Sequence, residues 1–586
     1  MNVTIKLRLG YKDLFNDEPK SKEYYIERID KDVIPVLICT LISAADPQFP
    51  FNKPKIFFSK FYPENKDILA EKINEIEYEI DNEAGLFDIA CCLKVVESIL
   101  SNQIQQLNGV TEMEMKICLL KLILITNDEQ IENEKMNDEN NASEYNSNKT
   151  ENIFLNQKYN NFDLSVQSYP DLIIAQFIKS IEFFKYIEKN PKLINYMHFF
   201  NNKYSLENWE EWVQNLFRIS GIIITSHKEH LASRSYYEFK LDENDDYTKS
   251  CIFFDSLSIN IHPPFLDKKF EKDFISLRTY PVYRVREGEY LIISLQFLFE
   301  KIFKSVQFTF SKEIHNKLPK EKRIKNFKAV HCDNFSEQTL LYNILHKSFP
   351  KKWIKIAGED FKKAGYDGEP DFYVRFKNKI FIFESKDVFL RGEVKQSFDI
   401  KFLKKELKKK FYKIEHPNNK IEKKAVLQLL ENIKRISNKY YEKCDGDYNQ
   451  ENIIIYPILI THDRQFDCLC VNKLINRWFN EELNNSKLEF KCKTVSPLTL
   501  INIDTFLLYY KALQQRSVKL EQMIKSYFDI VYYDKSKCRT FNEIKEKEFK
   551  SYVSFQDFFM DTMDSKSIKK TNIKEVKQYV FPDLTD

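Results

Sequence analysis

The sequence predicts a multidomain α+β chain. A largely helical N-terminal half is followed by a core of element order αβββαβ with helical additions. Three observations carry this prediction. Apolar residues recur at helical spacing through most of the first half. Two strand-like runs, 371–376 and 379–386, flank a tight turn at Asn378. Downstream, Ile453–Thr461 is β-rich and almost wholly apolar, the pattern of a strand buried on both faces.

With 586 residues, the chain is long enough for about two to four domains, each with its own core. Hydrophobic residues make up 43% and aromatics 15%, so most of it is expected to fold. The 90 basic and 87 acidic side chains leave a net charge of +3, so a nucleic-acid-binding surface has to be local. The 11 cysteines are scattered, with no C-x-x-C and no zinc-ligand spacing, which points to a reducing compartment. MNVTIKLRLG has no apolar stretch of signal-peptide length, and no apolar run is long enough to span a bilayer. The expectation is a soluble, cytoplasmic protein without a membrane partner. Only 10 glycines occur, and neither G-x-x-x-x-G-K-[ST] nor G-x-G-x-x-G is among them, which disfavours ATP-driven motors and dinucleotide enzymes. Yet Gly358, Gly365 and Gly368 cluster just before Pro370.

In chain order, Val3, Ile5, Leu7 and Leu9 alternate as a strand, opening a mixed, mostly helical domain over 1–126. Helices are expected at Val33–Ala45, Asp67–Ile80, Leu86–Leu100 and Glu112–Ile125. The polar, Asn-rich stretch 127–152 reads as a flexible linker, because it has too little apolar surface to offset the cost of ordering. The middle region, 153–326, begins helical. Leu206, Trp209, Val213 and Leu216 follow a Ser205 cap as core positions. Strand-like runs appear later, at Tyr290–Leu295 and Ser305–Phe310. The region 327–535 holds a helix at Glu337–Lys347, strands at Trp353–Ile356, 371–376 and 379–386, a helix at Glu422–Tyr440, the strand Ile453–Thr461 and a helix at Asp504–Ile530. A charged C-terminal tail, 536–586, completes the chain, and only Tyr579–Leu584 looks able to dock.

The chemistry concentrates at 370–386. In the second strand of this hairpin the two-residue period puts Ile380, Ile382, Glu384 and Lys386 on one face. Asp371, at the start of the neighbouring antiparallel strand, falls at the same end, roughly opposite position 385 or 386. Asp371 and Glu384 are then within about 8 Å between Cβ atoms. Two carboxylates at that distance suit a hard divalent cation. Mg²⁺ or Mn²⁺ held by Asp371, Glu384 and the carbonyl of Ser385 would activate a water beside a phosphodiester, with Lys386 stabilising the developing charge. Neither half of the motif is informative alone. Pro-Asp recurs at 170–171 and 582–583, and E-x-K recurs at Glu64, Glu114, Glu543 and Glu575. Only here do both occur in order across two strands. The nearest rival, Glu393-Val394-Lys395, follows Arg391-Gly392, which does not read as a buried strand.

Pro370-Asp371 followed by Glu384-Ser385-Lys386 resembles the PD-(D/E)XK, or restriction-endonuclease-like, nuclease superfamily, and the element order of 327–535 is similar to its core. The resemblance implies a metal-dependent endonuclease acting on nucleic acid, most readily DNA. It implies two further site residues. Glu337, early in the preceding helix, stands where many members carry another acidic ligand, though with Asn334 as N-cap it could equally complete a capping box. Gln428 lies on the helix after the hairpin, where several branches carry Gln or Lys, though an exposed helical Gln is equally ordinary.

Lys404, Lys405, Lys408 and Lys409 form a basic helical flank beside the hairpin, suited to phosphate-backbone contact or, equally, to simple solvation. The first 326 residues match no motif. They are expected to position substrate, sense a partner or mediate self-association, an arrangement most like the restriction or phage-defence members of the superfamily. Two alternatives stand beside the DNA endonuclease. One is an RNase using the same site. The other is a nucleic-acid-binding or scaffold protein whose nuclease fold is structural.

Overall fold

The computed structural model describes residues 6–47, 53–62, 66–80, 83–102, 110–140, 148–165, 168–233, 236–244, 246–262, 272–418, 420–486 and 490–581. It is a mixed α+β protein in two units. One unit gathers 141–162 and 324–576; the other gathers 4–140, 163–323 and 577–586. Among the described residues no helix is long and apolar enough to cross a membrane.

The first unit is built on a six-stranded sheet. Its strands are β1 (Ile354–Ala357), β2 (Phe372–Phe376), β3 (Lys379–Lys386), β4 (Ile454–Thr461), β5 (Thr494–Val495) and β6 (Thr499–Asn502). β1, β2 and β3 form an antiparallel meander. β4 lies parallel to β3 on its other side, and β5 and β6 both pair with β4 in parallel. Three consecutive helical segments, Phe327–Val330, His331–Leu341 and Tyr342–Ser348, precede the meander and together are termed α1. The middle segment winds more widely than an α-helix, with π-type geometry. Further helices include α2 (Gly358–Lys363), α3 (Gly392–Lys395), α4 (Ile400–Phe411), α5 (Ala425–Ser437), α6 (Ile503–Gln514) and α7 (Leu520–Val531).

The period-two pattern of β3 explains how the sheet is covered. Ile380 and Ile382 join Val426, Leu429 and Ile433 of α5 in one buried cluster. Phe381 and Phe383 point the other way. Phe349, just after α1, packs on both, and Phe506 of α6 packs on Phe383. β3 is thus sandwiched between helical layers, which is why Ile380 through Glu384 are buried without interruption.

Several sequence expectations are corrected here. The helix expected to begin near Glu337 begins ten residues earlier, at Phe327, so Asn334 lies within it and caps nothing. The helix expected over Glu422–Tyr440 is Ala425–Ser437, because Ile421–Lys423 pairs as a short strand with Lys413–Glu415. The helix expected over Asp504–Ile530 breaks into α6 and α7, between which Arg516 adopts a left-handed backbone (φ 62°).

In the second unit, Lys6–Arg8 forms the first strand, while Val3 and Ile5 lie outside the described residues. The segment expected as a flexible linker is helical over its first part, because the helix from Glu112 runs on to Asn140. Asn127, fully buried, donates to the carbonyls of Leu9 and Leu86, and this tertiary anchoring overrides the polar composition. Residues 141–147 lie outside the described set. The helix expected to follow a Ser205 cap starts at Trp209, with Asn208 Oδ1 accepting from the Glu211 amide. Ser305–Phe310 is helical rather than extended. Val306, Phe310 and, as the helix continues, Ile314 are its buried apolar positions, and their spacing of four outcompetes the apparent alternation.

Candidate active site

The hairpin turn sets the geometry. Phe376 pairs with Lys379 across a two-residue loop, in which Lys377 takes a left-handed backbone (φ 55°). The register then runs Arg375 to Ile380 and on to Phe372 opposite Phe383. One step further, Asp371 stands opposite Glu384 itself, not opposite 385 or 386 as expected from sequence. The amide of Ser385 donates to Asp371 Oδ2 at 2.6 Å and fixes the carboxylate at the strand end. Lys386 Nζ lies 2.6 Å from Glu384 Oε1, as two residues on one strand face can. Asp371, Glu384, Ser385 and Lys386 are therefore brought together.

The backbone leading into the hairpin is tightly held. The Gly358 amide donates to the Asp371 carbonyl at 2.9 Å. A Cβ on Gly358 would lie 3.0 Å from Tyr342 Oη and 3.3 Å from the Pro370 and Asp371 carbonyl oxygens, so a larger residue there would require these neighbours to give by a few tenths of an ångström. Gly368 adopts φ 68°, and its carbonyl accepts from the Arg435 guanidinium on α5 at 2.5 Å.

Glu337 belongs to the same group. It is half-buried on the π-wound part of α1 and accepts from Tyr342 Oη at 2.5 Å. The helix that carries it is pinned to the end of β3 by Asp387. Ser336 Oγ donates to Asp387 Oδ2 at 2.6 Å, His331 Nε2 lies 3.6 Å from the same oxygen, and Cys332 Sγ approaches the Asp387 carbonyl at 3.5 Å.

The electrostatics are those of acids crowded in a dry place. Burial, then the Asp371 charge, pushes the Glu384 carboxyl up to about 8 against the pull of Lys386. Burial and Asp371 likewise raise Glu337 to about 7. Asp371 is raised by burial, with Lys386 and the Ser385 amide opposing. Burial works against the Lys386 ammonium, but Glu384, Asp371 and Glu337 outweigh it and hold its proton more tightly than usual. Asp387 behaves oppositely: burial is overcome by His462, His331 and the Ser336 hydroxyl, and it stays below the ordinary carboxyl value.

Three carboxyl groups facing one ammonium are hard oxygen donors with surplus negative charge, the donor chemistry of a Mg²⁺ or Mn²⁺ site. Each is at present engaged otherwise: Glu384 by Lys386, Asp371 by the Ser385 amide and Glu337 by Tyr342. Among the described residues, no group of three or more His, Cys, Asp or Glu side chains is gathered as a metal-ligand set. The residues thus fit such an ion in donor type and charge, and side-chain rearrangement is needed for them to converge on it.

The remaining expected residues are placed differently. Gln428 is half-buried on α5, not solvent-exposed, and its Oε1 is buried without a hydrogen-bond partner. No hydrogen bond among the described residues joins it to the carboxylates. On α4, Leu403, Leu407 and Phe411 face the core. Lys405 and Lys408 are exposed, Lys404 is half-buried, and Lys409 is 2.5 Å from Glu406. The rival Glu393-Val394-Lys395 lies in the short helix α3.

Sequence reasoning missed His462 and Asp387. Ser385 Oγ and His462 Nε2 are 2.8 Å apart. The signal was present in the strand pattern. β4 runs parallel to β3 with Thr461 beside Lys386, so the polar residues following both strands emerge at the same edge. Carboxyl ends of parallel strands are where sites gather in open α/β sheets.

Comparison of the chain with protein-family models, curated proteins and solved structures finds no match.

Proposed function

We propose that this chain is a metal-dependent nuclease of the restriction-endonuclease-like, PD-(D/E)XK type, hydrolysing phosphodiester bonds in nucleic acid, with DNA as the first substrate to test. The observation that supports this best is the convergence of Asp371, Glu384 and Lys386 at one hairpin end, with Glu337 brought to them from α1. The order α1, β1–β2–β3, α5, β4, with β4 parallel to β3, is that expected of the superfamily's core.

In this reading Asp371, Glu384 and Glu337 would hold Mg²⁺ or Mn²⁺, with the Ser385 carbonyl as a further oxygen. The bound ion would supply an activated water and offset charge on the scissile phosphate. The neighbouring acids hold the Lys386 proton tightly, which favours a role in stabilising negative charge as it develops. Asp387 positions α1, and with it Glu337, through Ser336 and His331.

The test uses wild type, Asp371→Ala and Lys386→Ala, incubated with plasmid DNA, single-stranded DNA and RNA in Mg²⁺, Mn²⁺ or EDTA. Wild type is expected to cleave in a metal-dependent way and both variants to lose cleavage. Preference for RNA would make the protein an RNase of the same site. Cleavage retained in both variants would move the active site elsewhere, and wild type inert on all three would favour a binding or scaffold role.

A further inference from the structure

A second group of side chains beside the acids gathers more positive than negative charge: Arg391 and Lys424 each have a carboxylate beside them, and no ion pair among the described residues engages Lys328 or Lys410. Lys328 sits exposed in the first turn of α1, ahead of Glu337, with its Nζ 5.6 Å from the centroid of the Phe389 ring. Two residues beyond Phe389, Arg391 precedes α3, its side chain 69% exposed and its nearest carboxylate, on Glu393, at 3.9 Å. α3 packs against α4, whose last turn carries Lys410. The chain then turns back so that the Lys424 amide donates to the Tyr412 carbonyl at 3.0 Å, which sets Lys424 beside the end of α4.

Cations from four separate places along the chain are thus carried to the neighbourhood of the end of α4, where the other three act on Lys410. Burial lowers the proton affinity of Lys410 first; Lys328 lowers it next, Glu406 opposes, and Lys424 and Arg391 lower it again. Of the local acids, Glu406 is paired with Lys409 outside the group, while Glu422 offsets Lys424 and Glu393 lies 3.9 Å from Arg391, which leaves the group with a net positive charge. Like charges brought together in this way oppose folding, and an external anion offsets that cost. Lys328 also acts on Asp387, the residue following Lys386, so the cluster borders the acid set.

We propose that Lys328, Arg391, Lys410 and Lys424 form a cationic cradle for the phosphodiester backbone of a nucleic-acid strand, leading it to Asp371, Glu384 and Lys386. This rests on the nuclease reading above and relocates the backbone contact from the exposed face of α4 to the edge between α1, α3 and the end of α4. Contacts of this kind fix position and register without reading sequence.

The test is equilibrium binding of the full chain in EDTA to fluorescein-labelled duplex DNA, single-stranded DNA and RNA, over a salt series. The test variant is Lys328→Gln, Arg391→Gln, Lys410→Gln. Its charge-matched control is Lys347→Gln, Lys351→Gln, Lys352→Gln, three exposed lysines elsewhere in this unit. The cradle variant is expected to bind at least about tenfold more weakly. Its slope of log K against log salt should fall by about 2–3, since each phosphate contact contributes about 0.7–0.9. The control should keep the wild-type slope, and cooperative melting at or above the wild-type temperature shows that the cradle variant folds, with melting near the wild-type temperature showing the same for the control. The arm with the greatest loss identifies which nucleic acid the cradle holds. If wild type binds and cleaves while the cradle variant keeps its affinity and slope, or the control loses as much, the cradle is wrong and the nuclease reading stands. If wild type neither binds nor cleaves any of the three, both fall.

Discussion

Lys386 Nζ stands 2.6 Å from Glu384 Oε1, and the Glu384 carboxylate is 2% exposed. Asp371 faces the same pair from across the hairpin and accepts the Ser385 amide. In the metal-free protein this ammonium is the main internal counter-charge for Glu384 and Asp371, while Lys362 acts on Glu337. Removing buried charges from water is costly unless they are well paired, so this end of the sheet is expected to be a weak point until a cation joins it.

The first prediction concerns pH. Glu384 titrates at about 8 and Glu337 at about 7 in the folded protein, both above the ordinary carboxyl value of 4.5. Between those values the unfolded chain is ionised while the folded chain keeps its protons, so folding takes protons up. The stability these groups contribute is complete below pH 4.5 and is lost as pH rises towards 8. Urea melts in EDTA should show falling stability across that window, and Glu384→Gln should flatten the fall.

A second prediction separates stability from function at the same residue. Glu384→Gln removes a buried charge and keeps the shape, so the metal-free protein should melt higher than wild type at alkaline pH while cleavage is abolished. A variant that loses stability there would show that the Glu384–Lys386 pair is a net stabiliser. Calorimetry in EDTA reads the first quantity and plasmid nicking the second.

Gly358→Ala tests the support of the hairpin. The added methyl would press on Tyr342 Oη and on the Pro370 and Asp371 carbonyls at 3.0–3.3 Å. The expected cost is about 1–3 kcal/mol from overpacking, with cleavage reduced because Asp371 moves. Wild-type melting and wild-type rate together would show that the backbone there yields freely.

Gln428 offers a test with an unusual sign. Its Oε1 is buried without a hydrogen-bond partner, and such an acceptor costs about 1–3 kcal/mol. Gln428→Met should therefore melt at or above the wild-type temperature. If the amide serves the reaction, as the resemblance implies, the rate drops even so. Equal rates would assign Gln428 to packing alone.

Much of the hairpin was legible in the sequence because two independent constraints agree there. Period two and uninterrupted burial both place β3 at Lys379–Lys386, and the apolar run Ile453–Thr461 could hardly be anything but its buried neighbour. The exact facing of Asp371 was not legible, since it depends on a two-residue turn with Lys377 at positive φ, and no glycine marks that position. The start of α1 was hidden for a similar reason. Its N-cap, Asn326, makes no side-chain capping bond, whereas Asn334 and Glu337 have cap-like spacing inside the helix. Asp387 and His462 became visible only with strand order, because parallel pairing of β3 and β4 brings positions far apart in sequence to one edge. At 127–140, anchoring of Asn127 by Leu9 and Leu86 overrode composition.

The most direct test of the central claim is titration calorimetry of Mn²⁺ into the full chain near pH 8, comparing wild type with Asp371→Asn and Glu384→Gln. The account predicts one site in wild type, with proton release coming mainly from Glu384, and at least about tenfold weaker binding in each variant, corresponding to about 1.4 kcal/mol or more. Equal binding by all three proteins, or no Mn²⁺ binding by wild type, would contradict it.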